Sequence, residues 1–262
     1  MAAGILTLLT DFGTSDAYVA AMKGVVLSRA PDLRVVDITH QIPPQDIRRA
    51  AFVLAEAAPW YPPNTVHVVV VDPGVGTARR AIAARIGPPD RAQIVVAPDN
   101  GVITHLADRA GGCAAFELAQ PGLGLARRSA TFHGRDLFSP AGAALAAGLI
   151  TPEGCGPTVT PVLLDLPRPS VGLGAARGAV IAIDHFGNLI TNLRTERLPE
   201  RGLNVLIDGQ PVPAFVRTYG EAAEGAVVAL FGSGGWLEIS QVQSSAAAHL
   251  GLGVGATVDV QW

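Results

Sequence analysis

The chain has 262 residues, enough for one large or two modest domains with ample core, and its 49% hydrophobic and 16% charged residues are those of an ordinary globular protein rather than a disordered one. A net charge of -3 leaves no basic footprint for nucleic acid, and 3 Trp, 3 Tyr and 8 Phe are too few and scattered for a base-stacking platform. Cys113 and Cys155 have no metal-ligand spacing, so neither a disulfide framework nor a metal site is expected, and no apolar run approaches membrane-spanning length.

Met1-Ala2-Ala3-Gly4 carries no basic start or cleavage site, so the expected location is cytoplasmic. Residues 5–9 read as a short strand, ended by Thr10-Asp11-Phe12-Gly13-Thr14-Ser15-Asp16. A helix follows to about residue 29, with Ser15 or Asp16 as its cap and Tyr18, Met22, Val25 and Val26 toward the core. Capping is the preferred reading of Asp16. Asp11, at a strand end before a helix, stands where a carboxylate suits the two hydroxyls of a ribose. A second strand spans 33–38, and His40 beyond it reads as a hydrogen-bonded loop histidine. A helix over 45–58 then shows Ile47, Ala51, Leu54 and Ala58 on one face.

The run Val66-His67-Val68-Val69-Val70-Val71 predicts a buried, parallel strand. It stops at Asp72-Pro73-Gly74-Val75-Gly76-Thr77-Ala78-Arg79, where a carboxylate meets a tight turn and Arg79 can fold back onto it. Two readings stay open there: a turn with a structural ion pair, or a site, since ligands of open α/β sheets bind beyond the strands' carboxyl ends. Strands over 81–86 and 93–97 are joined by Gly87-Pro88-Pro89-Asp90. Ala97-Pro98-Asp99-Asn100-Gly101 then leads into a helix over 102–109. The repeated strand–loop–helix rhythm predicts a parallel α/β sheet with its loops along one edge. No Gly-x-Gly-x-x-Gly follows the first strand, and there is no Walker loop.

Another helix opens at Ser129-Ala130-Thr131-Phe132-His133-Gly134-Arg135-Asp136 and runs to about 149. His133 is either poised at its start or part of a surface turn ion-paired through Arg135 and Asp136. Pro and Gly crowd 163–178. Beyond it come short strands over 179–183, 203–207, 227–231, 236–239 and 256–260, with one helical stretch over 243–250. The plan is a mostly parallel α/β sandwich domain over 1–165, a linker over 166–178 and a small β-barrel domain over 179–262. In the barrel, Asp184-His185-Phe186-Gly187-Asn188-Leu189-Ile190-Thr191-Asn192 reads as a polar loop combining a ring, an amide and a carboxylate. That mixture suits a purine carrying an amino acid tail.

Six motifs occur in order: Leu9-Thr10-Asp11-Phe12-Gly13, Asp37-Ile38-Thr39-His40, Val71-Asp72-Pro73-Gly74-Val75-Gly76-Thr77, Ala97-Pro98-Asp99-Asn100-Gly101, Phe132-His133-Gly134-Arg135-Asp136 and Ile183-Asp184-His185-Phe186-Gly187-Asn188. Together they resemble the S-adenosyl-L-methionine (SAM) hydroxide adenosyltransferases, hydrolytic relatives of the fluorinating and chlorinating enzymes. The resemblance implies an α/β domain followed by a β-barrel, and a homotrimer with active sites at subunit interfaces. It implies an Asp-Arg-His set at Asp72, Arg79 and His133, and Asp11 on the ribose. Asp16, Asp184 and Ser233 would meet the methionine end, with adenine near Phe186 and Asn188. The halogenating relatives hold halide at the positions of Val75 and Gly134, which here lack a hydroxyl, so water is the expected nucleophile. After Trp236-Leu237-Glu238-Ile239 the chain departs from the family pattern, reading Ser240-Gln241-Val242-Gln243. The implied reaction hydrolyses SAM to adenosine and methionine, with SAM as substrate and no cofactor or metal. Its rivals are a chloride-using adenosyltransferase and a non-catalytic adenosine-binding protein.

Overall fold

The computed structural model describes residues 4–262, so the opening Met1-Ala2-Ala3 lies outside the described residues. The chain divides into two compact units, Met1–Leu164 and Asp165–Trp262. The predicted linker falls within the second of them.

The first unit is built on a seven-stranded sheet. Its strands are β1 (Ile5–Thr10), β2 (Arg34–Thr39), β3 (Val66–Val70), β4 (Ala81–Ile86), β5 (Gln93–Pro98), β6 (Cys113–Glu117) and β7 (Thr158–Val159), in spatial order β2-β1-β3-β5-β4-β6-β7. The four strands β2, β1, β3 and β5 pair in parallel, whereas β4, β6 and β7 extend the sheet antiparallel. The β4–β5 hairpin follows from the short Gly-Pro-Pro-Asp turn, which has no room for a crossover. Successive side chains of a strand point to opposite faces, and here both faces are covered. Leu6, Leu8, Val66, Val68 and Val70 enter one core, while Leu9, Val69 and Val71 enter the other. That two-sided burial is why β3 reads as an unbroken apolar run.

Helices α1 (Tyr18–Arg29) and α4 (Ser139–Ala146) feed the first core, through Met22, Val26 and Ala141; α2 (Ile47–Ala57) and α3 (Thr104–Arg109) feed the second, through Leu54 and Leu106. Asp46 caps α2 by accepting from Arg49 N at 2.8 Å. The predicted cap of α1 is not there. Its N-cap is Ala17, already in a helical conformation, with no side chain capping it, and Ser15 and Asp16 stay solvent-exposed in the preceding bends. His67, inside β3, is fully buried between Thr7 (2.7 Å) and Gln93 (3.3 Å).

In the second unit the strands are β8 (Ser170–Val171), β9 (Ala175–Ile183), β10 (Leu189–Arg194), β11 (Asn204–Ile207), β12 (Gln210–Pro211), β13 (Ala214–Phe215), β14 (Val227–Phe231), β15 (Trp236–Gln241) and β16 (Thr257–Gln261). They form one sheet curled as a half-barrel, almost wholly antiparallel, with a short helix α5 (Ala246–Leu250) packed on it. The long strand β9 makes the curl by pairing β16 along residues 175–179 and β10 along 180–183. β10 replaces the second half of what the sequence reads as a polar loop. Leu189, Ile190 and Leu193 are buried, and Thr191 satisfies its hydroxyl on Leu237 O at 2.8 Å.

Candidate active site

The apolar run carries Val70 to the edge of the sheet, and Asp72 stands just beyond it, where the parallel strands end. The loop that follows is pulled tight by Val75 N donating to Asp72 O and Thr77 N to Gly74 O, both at 3.2 Å. Gly76 is required there: its φ is +77°, and a Cβ would stand 2.8 Å from Ala130 O. The loop thus lies directly against the segment that leads to His133.

Arg79 returns over this loop and grips Asp72 with two donors, Nε at 2.9 Å from Oδ1 and Nη2 on Oδ2. Both side chains are withdrawn from solvent, 12% and 5% exposed, and the guanidinium carbon lies 5.2 Å from the centre of the buried Phe138 ring. The same Nη2 donates to His133 Nδ1 at 2.9 Å. A guanidinium does not give up its proton, so Nδ1 is the acceptor and the imidazole carries its hydrogen on Nε2. Burial first, then the Arg79 charge, holds the His133 pKa below its usual value, in the direction that the accepting Nδ1 requires. Asp72, Arg79 and His133 therefore form one hydrogen-bonded set, joined by a cation that cannot be discharged.

His133 precedes a single π-helical turn, Gly134–Phe138, that leads into α4. Arg135 and Asp136 are ion-paired at 2.6 Å, but this is no surface turn: Asp136 is fully buried and also accepts from Ser129 N at 2.6 Å. The pair anchors the turn from beneath, and the Arg135 hydrogen bonds draw the Asp136 pKa down. Beside His133 the rings of Phe12 and Tyr18 each pack edge to face on Phe132 and lie tilted against one another, with centroids 5.2–5.9 Å apart. Tyr18, expected in the core, is half-exposed in this cluster instead, because the loop before α1 carries Phe12 beneath it. A Cβ on Gly134 would lie 3.3 Å from Met22 Sδ and 3.4 Å from both phenylalanine rings. The Phe12–Phe132 contact links the Asp11 loop to the His133 turn, and Asp11 itself accepts Gln45 N on its carboxylate at 2.8 Å. Asp16 is exposed and makes none of these contacts.

In the second unit, Asp184, Phe186, Asn188 and Ser233 line one cleft of about 1030 Å³. The Asp184 carboxylate accepts from Phe186 N and Asn188 N at 2.9 Å and from Asn188 Nδ2 at 2.8 Å, which shapes the loop and leaves its charge facing the cleft. Phe186 is 73% exposed and lines this cleft, its ring set edge-on to His185 with centroids 5.6 Å apart. Among the lining residues the sequence reading did not assign to the site, two are hydrogen-bonded to each other. Glu238 is buried and accepts the hydroxyl of Tyr219, which lines the same cleft. Burial, reinforced by the Asp184 charge, pushes the Glu238 carboxyl up. Burial and the Glu238 contact push the Tyr219 phenol up to about 12. The available signal was a lone carboxylate inside the apolar strand Trp236-Leu237-Glu238-Ile239. Gln241 and Gln243, where the chain departs from the family pattern, line the cleft as well. Among the described residues, no group of three or more His, Cys, Asp or Glu is placed to hold a metal ion.

Comparison with known proteins decides the family. The model of the SAM hydroxide adenosyltransferase N-terminal domain matches residues 6–156, and that of the C-terminal domain matches residues 178–259. The chain belongs to the SAM hydroxide adenosyltransferase family. Each half of this adenosyltransferase signature falls within one compact unit. The chain is 46% identical to the (R)-S-adenosyl-L-methionine hydrolase of Thermus thermophilus, over 95% of this chain and 96% of that one. It is 31% identical to a fluorinase of an Actinoplanes species, over 98% and 97% of the two chains. A solved structure of an uncharacterized conserved protein from Thermotoga maritima, 32% identical, superposes with a TM-score of 0.90 over 98% of this chain and 100% of the other.

Proposed function

We propose that this adenosyltransferase hydrolyses SAM to adenosine and L-methionine by in-line attack of one water on C5′. The observation that carries the reading is the Asp72–Arg79–His133 hydrogen-bonded set at the strand ends. SAM brings its own leaving group. The water oxygen bonds to C5′, the C5′–S bond breaks, and its electron pair makes the sulfonium a neutral thioether. No metal or cofactor is needed for that step.

With Nδ1 engaged by Arg79, the free Nε2–H of His133 is a donor and holds the water oxygen in line. Asp72 accepts a hydrogen bond from the water and then its proton. Because Asp72 is also held by Arg79, positioning the water is the larger part of its role, and proton acceptance follows as the oxygen gains positive charge. Arg79 fixes both partners and favours hydroxide character at the attacking oxygen.

Asp11 would take the ribose hydroxyls, and Asp16 would meet the methionine ammonium. Asp184 and Ser233 would hold the methionine end from the cleft, with Phe186 and Asn188 on adenine. The acidic character given by Asp184 and Glu238 suits a cationic substrate. The crowding at Gly134 supports water over halide, since a hydroxyl-bearing side chain has little room there. The names of the relatives point further, to the R epimer at sulfur as the preferred substrate. The homotrimer with interface sites belongs to the same proposal and is tested by light scattering, where an active monomer would refute it.

The deciding experiment is chromatography of products from each SAM epimer in ¹⁸O-labelled water, with and without chloride. Labelled adenosine, formed faster from the R epimer, is the expected result. 5′-Chloro-5′-deoxyadenosine would establish the halide reading instead, and tight adenosine binding without turnover would establish a binding protein.

A further inference from the structure

β1 and β2 run in register from Ile5↔Arg34 to Leu8↔Asp37, but the next pair is Leu9↔Thr39. One extra residue, Ile38, has been inserted into β2. Such bulges kink a strand and re-aim the side chains that follow, and they gather beside functional sites. Here the bulge delivers His40 beneath the end of β1. Its Nδ1 lies 2.9 Å from Thr10 Oγ1, and its Nε2 faces the Asp37 carboxylate 3.1 Å away, an ion-pair distance without hydrogen-bond alignment. Lys23 closes the outer end of the chain on Asp37 at 2.6 Å. Thr10 is fully buried and His40 nearly so.

The inner end of this chain holds the Asp11 loop. Thr10 Oγ1 accepts the backbone N–H of Phe12 at 3.2 Å, and His40 O accepts that of Gly13 at 2.8 Å. Gly13 has φ +66° with open space around its would-be Cβ, so the backbone path, not crowding, demands glycine. Residues 40–45 then complete the grip, since Gln45, itself at φ +67°, donates its N–H to the Asp11 carboxylate. The backbone just after Asp11, and the Asp11 carboxylate, are therefore held by Thr10 and by the segment after β2. Thr10 Oγ1 and His40 Nδ1 are buried and engaged on each other, so moving either would leave a buried polar group unpaired, which holds this end of the chain in place.

We propose that Thr10 and His40 are positioning residues for the nucleoside, setting the Asp11 carboxylate at the angle that receives both ribose hydroxyls. This rests on the reading of Asp11 as the ribose ligand. A hydroxyl at residue 10 is needed because it must accept from Phe12 N and meet the imidazole at once. Threonine and serine can do so; valine, of the same shape, cannot.

The test compares adenosine with 2′,3′-dideoxyadenosine by calorimetry on the full-length chain. Thr10→Val is expected to weaken adenosine about tenfold while changing dideoxyadenosine less than about twofold, the selectivity of one or two lost hydrogen bonds. Thr10→Ser should keep the wild-type preference, which separates the hydroxyl from packing. Asp11→Asn serves as the reference and should show the same selective loss. If Asp11→Asn weakens both ligands alike, the ribose reading itself is refuted. If Asp11→Asn is selective but Thr10→Val is not, the positioning role is overturned and the ribose reading stands. Equal weakening of both ligands by Thr10→Val and Thr10→Ser would also overturn it, as the mark of a general packing defect.

Discussion

Replacing Arg79 by lysine keeps the positive charge and removes the geometry, so it isolates what the guanidinium does. Two donors of Arg79 hold two partners: Nε and Nη2 both reach the Asp72 carboxylate, and Nη2 also reaches His133 Nδ1. An ammonium is a single point on a flexible stem and can serve one of these partners at a time. Two contacts are then lost, each worth about 1.5–3 kcal/mol when one partner is charged, or roughly 3–6 kcal/mol together. At 1.36 kcal/mol per decade, kcat should fall by about 10²–10⁴-fold, provided the contacts matter chiefly in the transition state. KM for SAM should stay within about threefold of wild type, since no substrate-binding residue is touched. The same substitution frees His133 Nδ1 and loosens the cation that depresses its pKa, so the imidazole, followed by proton NMR through a pH titration, should titrate at higher pH than in wild type. The assay is initial-rate formation of adenosine. A lysine variant with kcat within threefold of wild type, or one whose whole loss appears in KM, would refute the view that the guanidinium organises the nucleophile.

Asp72→Ala and His133→Ala should each lose turnover by orders of magnitude while adenosine still binds; a near-wild-type rate in either variant, measured by the same assay, removes that residue from the mechanism. Gly134→Ser places a Cβ 3.3–3.4 Å from Met22, Phe12 and Phe132, so it should destabilise by about 1–3 kcal/mol and yield no chlorinated product. An unchanged melting temperature together with 5′-chloro-5′-deoxyadenosine would contradict this. His67 is held neutral by burial, with its pKa lowered to about 4 from 6.5. The unfolded chain therefore binds a proton between those values that the folded chain refuses, and stability is lost as pH falls from 6.5 to 4 but not above 6.5. The stability advantage of wild type over His67→Gln should shrink by roughly 3 kcal/mol across that window in denaturant titrations. A difference independent of pH would show that His67 is not the titrating group.

Local chemistry made one side of this site legible. Asp72 stops an unbroken apolar strand, and Arg79 lies seven residues on across a glycine turn, so their pairing follows from a loop too short to separate them. The strand itself declared its burial, because a strand covered on both faces has no polar alternation. The turn joining β4 and β5 was equally plain, but the strand–loop–helix rhythm predicted a parallel sheet, whereas so short a turn makes the pair an antiparallel hairpin. By contrast, the cap expected from Ser15 or Asp16 is not made: the N-cap of α1 is Ala17, and the Asp16 carboxylate stays in solvent. β10 hid because Asn188, Thr191 and Asn192 look like loop residues until their partners are known, and Thr191 is buried on Leu237 O from a strand 46 residues away. Glu238 gave only the faint signal of one carboxylate among apolar neighbours.

By itself, then, the sequence determined the strand ends, the tight turns and the residue types that crowd them, since these depend on neighbours a few positions apart. Only the tertiary structure decided which of those ends meet. His133 reaches Arg79 across 54 positions because Gly76 lets one loop lie against Ala130 and because a buried Asp136 pins the turn below. A bulge in β2 puts His40 under Thr10 across 30 positions. Periodicity records that a residue faces a core or a loop, but not which partner it finds there; that is fixed when the sheet order is chosen and buried polar groups must be satisfied by whatever that order brings near.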